Sequence, residues 1–222
     1  MYTPRHYAVE PGEAAAFLAR IDAADLVTMT EDGLVATFLP LLFAPEVGEH
    51  GALLGHVARK NDQWQRAAIG EALVIAHGED AYISPGWYPS KAEHGRVVPT
   101  WNYTTAHVYG ELVIHDDPAW VDANVRRLTA RQEGRREQPW SVDDAPPAFH
   151  EGQLRAIVGV EVRISRVEAK FKMSQNQNDA NIDGVIAGLT EEGRAEVADV
   201  VRGLRPDRSR APDDVDRPVQ AG

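Results

Sequence analysis

The chain has 222 residues, 43% of them hydrophobic and 26% charged, and carries a net charge of −11 from 34 Asp and Glu against 23 Lys and Arg. It holds no cysteine, which excludes disulfides, thiolate metal sites, Fe–S clusters and cysteine nucleophiles and fits a reducing compartment. A duplex-DNA binder concentrates basic charge where it meets phosphates. The densest basic run here, Arg126, Arg127, Arg131, Arg135 and Arg136, is interleaved with Asp122, Glu133 and Glu137 and reads as a solvated helix face.

No stretch reaches the length of a transmembrane helix. The first apolar cluster, 14–19, is short and lies between Glu13 and Arg20 without a basic leader. A cytoplasmic protein with no membrane part and no direct grip on DNA is therefore expected.

Residues 11–23 read as a helix, with Ala14, Phe17, Leu18 and Ile21 at helical spacing. Residues 25–30 and 34–43 are β-type runs joined by the turn Glu31-Asp32-Gly33. Pro40 cannot donate to a ladder and predicts an edge or bulge. A third strand covers 51–57. A helix follows over 61–70, capped by Asn61 or Asp62 and ended by Gly70. Two short strands, 72–77 and 81–84, flank a turn at Gly78-Glu79-Asp80, and 85–98 reads as a long loop. A long strand runs over 100–115, bent at Gly110.

The helix predicted over 118–133 buries Trp120, Ala123, Val125 and Leu128. A loop over 139–147 leads into a short helix over 147–156. A strand covers 158–167, and helices cover 178–189 and 191–204. Residues 205–222 mix Pro, Asp and Arg with almost nothing apolar and predict a disordered tail, leaving 1–204 as one domain. Antiparallel strands with short crossings favour a small barrel with helices outside.

The long strand carries Trp101, Tyr103, Thr105, His107 and Tyr109 on one face and Asn102, Thr104, Ala106 and Val108 on the other. Neither face is charged before Glu111, so both are expected to be covered, one by the barrel interior and one by a partner subunit or ligand.

Four segments stand out chemically. In 55–64, Arg59 and Lys60 lie between a strand end and a helix start, where free N–H groups and the helix dipole favour a phosphate; two cations solvating a loop is the plainer alternative. Residues 82–91 mix aromatics, prolines and a lysine and suggest a lid over a flat ligand, or a packed surface loop. Residues 98–103 bring amide, hydroxyl and indole groups onto a buried strand, where they need partners. In 170–176, Ser174 or Asn176 can cap the next helix. The eight histidines form no metal-ligand spacing. Gly-x-Ser-x-Gly, Walker and Gly-x-Gly-x-x-Gly motifs are absent, so hydrolase, NTPase and Rossmann readings have no support.

Taken together, the opening MYTPRHY and the strings GHVARKNDQW, AYISPGWYPSK, VPTWNYTTAHVYG and FKMSQNQNDANIDGVIAGL make residues 1–189 resemble the PaiB family of FMN-binding negative transcriptional regulators. The resemblance implies a mainly β (α+β) fold, a split β-barrel of the pyridoxamine-phosphate-oxidase type with peripheral helices. It implies a homodimer with FMN in clefts between subunits. By similarity, Phe38, Pro40 and Leu41 lie along the flavin ring. The turn of His56, Val57, Arg59, Lys60 and Asn61 takes the phosphate through its two cations. Thr100, Trp101, Asn102 and Tyr103 close the site, with Lys172, Ser174 and Gln175 near its rim.

Piperazate synthases resemble the same family but use haem b; in such a protein His56 is the choice for the iron ligand. The implied activities are regulation through a bound flavin or small metabolite, flavin-dependent oxidation or reduction with His107 or Tyr103 as proton donor, and a haem-dependent synthase forming an N–N bond.

Overall fold

The hairpin turn at Gly33 starts the architecture: its φ of 109° lies where L side chains are strained, and it joins β1 (Ala23–Thr30) to β2 (Gly33–Ala44) in register, with Thr30 opposite Gly33. The computed structural model describes residues 1–208. With β3 (Ala52–Ala58), β4 (Ala72–Ile83), β5 (Thr100–His115) and β6 (Ile157–Lys172), these strands close into a barrel in the order β1-β2-β3-β6-β5-β4. Two compact units divide the described chain. One comprises 1–78 and 103–171; the other comprises 79–102 and the described residues from Lys172 on.

In the first unit the barrel interior follows the period of two expected of strands with one face in a core. Leu26, Leu39, Leu41, Val57, Ala106, Val108, Val158, Val160 and Val162 are all buried. Pro40 sits where β2 changes neighbours: Ala23 of β1 faces Pro40, and Leu41 already faces Gly55 of β3. A residue without an N–H is harmless at that handover. Helix α1 (Pro11–Arg20) buries Ala14, Phe17 and Leu18 as its spacing predicts. Helix α3 (Pro118–Glu133) has the predicted bounds but a different buried stripe, Val121, Asn124 and Leu128, while Ala123 is exposed. Its three arginines and the two that follow it face acids: Arg126 pairs with Asp122 and Asp143, Arg127 with Glu46, Arg131 and Arg135 with Asp22, and Arg136 with Glu133. Helix α4 covers Pro147–Leu154.

Two expectations fail here for definable reasons. The helix over 61–70 is only a 3-10 turn, Asp62–Gln65. Asn61 does cap it, accepting from the Gln63 amide. Gln63 is then drawn inward and buried, and its Nε2 donates to the Leu26 and Val35 carbonyls and to Thr28 Oγ1. The turn predicted at 78–80 is part of one continuous strand, β4. Gly78 marks close approach instead: a Cβ there would lie 2.3 Å from Thr104 Oγ1 and 2.7 Å from the Phe17 ring. Gly110 likewise lies against the Arg163 carbonyl, 2.1 Å from where a Cβ would be.

The second unit has its own core, in which Ile83, Tyr88, Met173, Ile182, Val185, Leu189, Val197 and Val201 pack together. Helices α5 (Asp179–Glu191) and α6 (Ala195–Gly203) supply most of it. The predicted long loop over 85–98 instead holds a 3-10 turn, Pro85–Trp87, and the short helix α2 (Ser90–His94). Trp87 is wedged on α5: a Cβ at Gly188 would lie 2.3 Å from its indole, and one at Gly184 would lie 2.0 Å from its carbonyl oxygen. Of the tail expected over 205–222, residues 209–222 lie outside the described residues; Arg205 pairs with Asp183 and Asp179.

Candidate functional site

Strand β2 presents its even-numbered residues outward. Leu34 and Phe38 are each 70% exposed, and Ala36 and Pro40 are exposed with them. Opposite Leu34 on β1, Met29 is exposed too. A continuous apolar row on a barrel exterior marks a ligand or partner surface. Leu41 and Val57 differ from the other candidates. Their side chains are buried in the barrel, so they support the row from within rather than line it.

The turn after β3 is tied to the other face of β2, the one that Thr37 shares with Val35 and the buried Leu39. Asn61 Nδ2 donates to Thr37 Oγ1 at 2.9 Å, one residue before Phe38. Arg59 is fully engaged: its guanidinium donates to Asp116 at 2.5 and 3.1 Å and to the carbonyls of Arg155 and Ile157. The pair holds the Asp116 carboxyl below its usual range and the guanidinium still more firmly protonated. Lys60 is exposed, and its ammonium has no ion pair among the described residues. The reason first given for a phosphate here, a helix N-terminus, does not hold, because no α-helix follows. What stands is one available cation next to Asn61, on a turn anchored to the strand that carries the apolar row.

His56 faces outward from β3, opposite Gly159 of β6. A Cβ at Gly159 would lie 2.3 Å from the Trp120 ring of α3. Trp120 stacks on His115 at 4.0 Å, and His115 Nε2 lies 2.7 Å from Glu161. Burial works against the Glu161 carboxylate, but hydrogen bonds from Arg163 and His115 hold its pKa below the usual range. Asn124 Nδ2 donates to the Gly55 carbonyl at 3.0 Å. Both His56 Nδ1 and Asn124 Oδ1 are buried without a protein partner. Burial lowers the His56 pKa. Sequence reasoning missed Asn124, His115 and Glu161; the one available signal was Glu161, a carboxylate inside an otherwise apolar strand.

Tyr103 and His107, the candidate proton donors, are half-buried on β5. Lys170 Nζ lies 5.5 Å from the Tyr103 ring and within 6 Å of the Tyr2 and Tyr7 rings, a cation held among aromatic faces. Burial, and then the N-terminal ammonium, lower the His107 pKa.

The second unit brings its candidates together. Lys172 Nζ donates to the Trp101 carbonyl at 2.6 Å and to Thr100 Oγ1. Asn102, wholly buried, donates to Ser174 Oγ at 2.9 Å. Ser174 has a φ of 68°. Gln175 Oε1 accepts from the Met173 amide at 2.7 Å. Trp101 donates to Asp80. The segment 82–91 is not a free lid. Trp87 sits on α5, Tyr88 and Ser90 are buried, and the Ser90 amide donates to Asn181.

A family model described as "Putative FMN-binding domain" matches residues 1–166. The chain belongs to this FMN-binding family. Protease synthase and sporulation protein PAI 2 of Bacillus subtilis (strain 168) is 32% identical over 195 residues, 86% of this chain and 90% of that one, so the resemblance to PaiB holds. Two solved structures share the fold. Conserved hypothetical protein Rv2991 of Mycobacterium tuberculosis matches with a TM-score of 0.53 at 13% identity, covering 80% of this chain and 94% of that one. Flavocytochrome Anf3 of Azotobacter vinelandii matches with a TM-score of 0.51 at 12% identity, covering 77% and 72%. The split barrel read from the resemblance is the fold of this FMN-binding family member, and FMN is its family's cofactor. Among the described residues no helix is long and apolar enough to cross a membrane.

Proposed function

We propose that this PaiB-type flavin-binding protein is a homodimer that holds FMN against the outer row of β2 and regulates transcription through its flavin or a metabolite the flavin meets. The observation that carries this is the exposed row of Phe38 and Pro40 on a strand whose other face, at Thr37, holds the turn of Lys60 and Asn61. A flavin needs a flat apolar surface for its ring and a cation for its phosphate, and these residues supply both. When bound, the flavin supplies the redox chemistry, and the protein positions it. Lys60 binds the phosphate, and Arg59 serves as the strut that fixes the turn through Asp116. The rest of the row, Leu34, Ala36 and Met29, is the surface left for a second subunit.

Indirect regulation fits the charge. The net charge is −11, and the arginines of α3 and the two that follow it are each paired with an acid, leaving no concentrated basic face there for phosphates.

The test is reconstitution of the purified chain with FMN, followed by absorption and flavin fluorescence. The expected result is uptake of one FMN per chain. Lys60→Ala should weaken it about tenfold or more, because a hydrogen bond to a charged group contributes about 1.5–3 kcal/mol. A chain that takes up no FMN overturns the proposal, and a Soret band on haem uptake transfers the site to His56. A monomer in sedimentation removes the dimer, and tight binding to duplex DNA at low salt removes indirect regulation.

A further inference from the structure

The second unit contains a cavity of about 350 Å³ that none of the residues assigned to FMN lines. Tyr88, His94, Arg96, Asn176 and Asn178 contribute its polar wall. We propose that it is a binding site for a small oxyanion, the carboxylate or phosphate group of a metabolite.

Three independent features point the same way. First, Tyr88 is only 4% exposed, with its ring in the core of the unit. Its hydroxyl has no hydrogen-bond partner within the described chain, and burial pushes its pKa up, which keeps the O–H a donor. The hydroxyl opens onto the cavity rather than being sealed in the core, so it can donate to an acceptor placed there. Second, the Arg96 side chain makes no ion pair among the described residues, in a chain where acids outnumber bases and most described arginines are paired. Its backbone amide donates to His94 Nδ1 at 3.0 Å. That makes Nδ1 the acceptor of the ring and leaves Nε2 as the donor. Third, α5 begins here. It is thirteen residues long, and its cap, Asn178, accepts from the Asn181 amide. The remaining first-turn amides and the positive end of the dipole favour an anion.

The wall thus offers donors from phenol, guanidinium, imidazole and helix amides, and no carboxylate lines it. A ligand matched to it accepts hydrogen bonds and is negatively charged. The volume exceeds what a bare oxyanion needs, so the group is one end of a small metabolite. This also assigns a role to Tyr88 of the sequence block at 81–91: the wedge of Trp87 on Gly184 and Gly188 holds Tyr88 at the cavity wall. The inference does not rest on the flavin reading.

The test is titration of the isotope-labelled full chain with inorganic phosphate, and separately with acetate, at constant ionic strength, read by amide chemical shifts. Shifts concentrated at Arg96, Asp179 and Ala180 are expected, with the stronger of the two anions naming the group. Tyr88→Phe, which keeps the ring in the core, and Arg96→Ala should each weaken binding about tenfold or more. The FMN affinity of Tyr88→Phe should be unchanged. Absence of shifts at these amides for both anions overturns the proposal, as does equal binding in both variants, which would be an adventitious ion only. Loss of FMN uptake in Tyr88→Phe would also overturn it, because the cavity would then be part of the flavin site.

Discussion

Replacing Gly188 by alanine should destabilise the protein, although alanine is the better helix former. Gly188 lies inside α5, and its added Cβ would meet three indole atoms of Trp87 at 2.3, 2.4 and 2.6 Å, against an ordinary contact of 3.4 Å or more. The indole must retreat by about 1 Å, and it is not free to do so. One turn earlier, the Trp87 carbonyl is pressed onto Gly184, and Tyr88 behind it is locked in the core. Overpacking of this kind costs about 1–3 kcal/mol, and here the rigid neighbour favours the upper end. The gain in helix propensity from Gly to Ala offsets about 1 kcal/mol. The net loss is roughly 1–2 kcal/mol, or about 2–8 °C in Tm for a chain of this size. Gly12→Ala in α1 is the matched control. Nothing lies within 4 Å of its added Cβ, so only the propensity gain remains and stability should rise by up to ~1 kcal/mol. Thermal unfolding of both variants reads the comparison. If Gly188→Ala proves as stable as Gly12→Ala, Trp87 does not sit on α5 and the cavity wall argued from it is unsupported.

Ser174→Ala should cost about 1–3 kcal/mol by denaturant unfolding, since it strips a partner from the wholly buried Asn102 amide. Ser174→Gly should cost about 1 kcal/mol less, because glycine adopts the positive φ freely; equal stability of both variants to the parent would show that the Asn102 bond is not formed. Burial lowers the His56 pKa, so the unfolded chain takes the proton first. This contribution is complete above about pH 6.5 and is lost as pH falls through the folded pKa. The stability of His56→Gln should therefore fall less between pH 7 and 5 than that of the parent, and parallel curves would contradict the burial. Asp116→Asn, which removes one of the two bonds that brace Arg59, should lower FMN affinity, but by less than the roughly tenfold of Lys60→Ala. A gain in affinity from Asp116→Asn would instead make the released Arg59 the phosphate ligand.

Alternating patterns gave the strands of the barrel away, and the helix bounds of α3, α5 and α6 fell within a few residues of prediction, because burial on one face imposes a period that local composition shows. The misreadings share a cause. Gly78 looks like a turn residue locally, yet it serves close approach to neighbours distant in sequence. Residues 61–70 have helical composition, yet Gln63 is captured by carbonyls of β1 and β2. Those forces come from partners about 28–37 residues away, which no window of local sequence contains. The same limit applies to the site. The engagement of Arg59 depends on Asp116, 57 positions on.

That engagement bears on how a two-cation motif works. Adjacent Arg and Lys at a turn look interchangeable as anion ligands, but their chemistry suits them to separate tasks. A guanidinium has a planar fork of donors that can satisfy a carboxylate and two carbonyls at once, as Arg59 does. An ammonium on a flexible stem makes a poorer strut and a better mobile counter-ion. Arg59 closes the gap between the end of β3 and the start of β6, and Trp64 Nε1 donates to its carbonyl, so the turn is rigid before any ligand arrives. Lys60 is then held on a fixed turn next to Asn61, which is itself tied to Thr37 of β2. On this division of labour Arg59→Lys should fail as a conservative change. It keeps the charge but loses the fork, and with it the placement of Lys60.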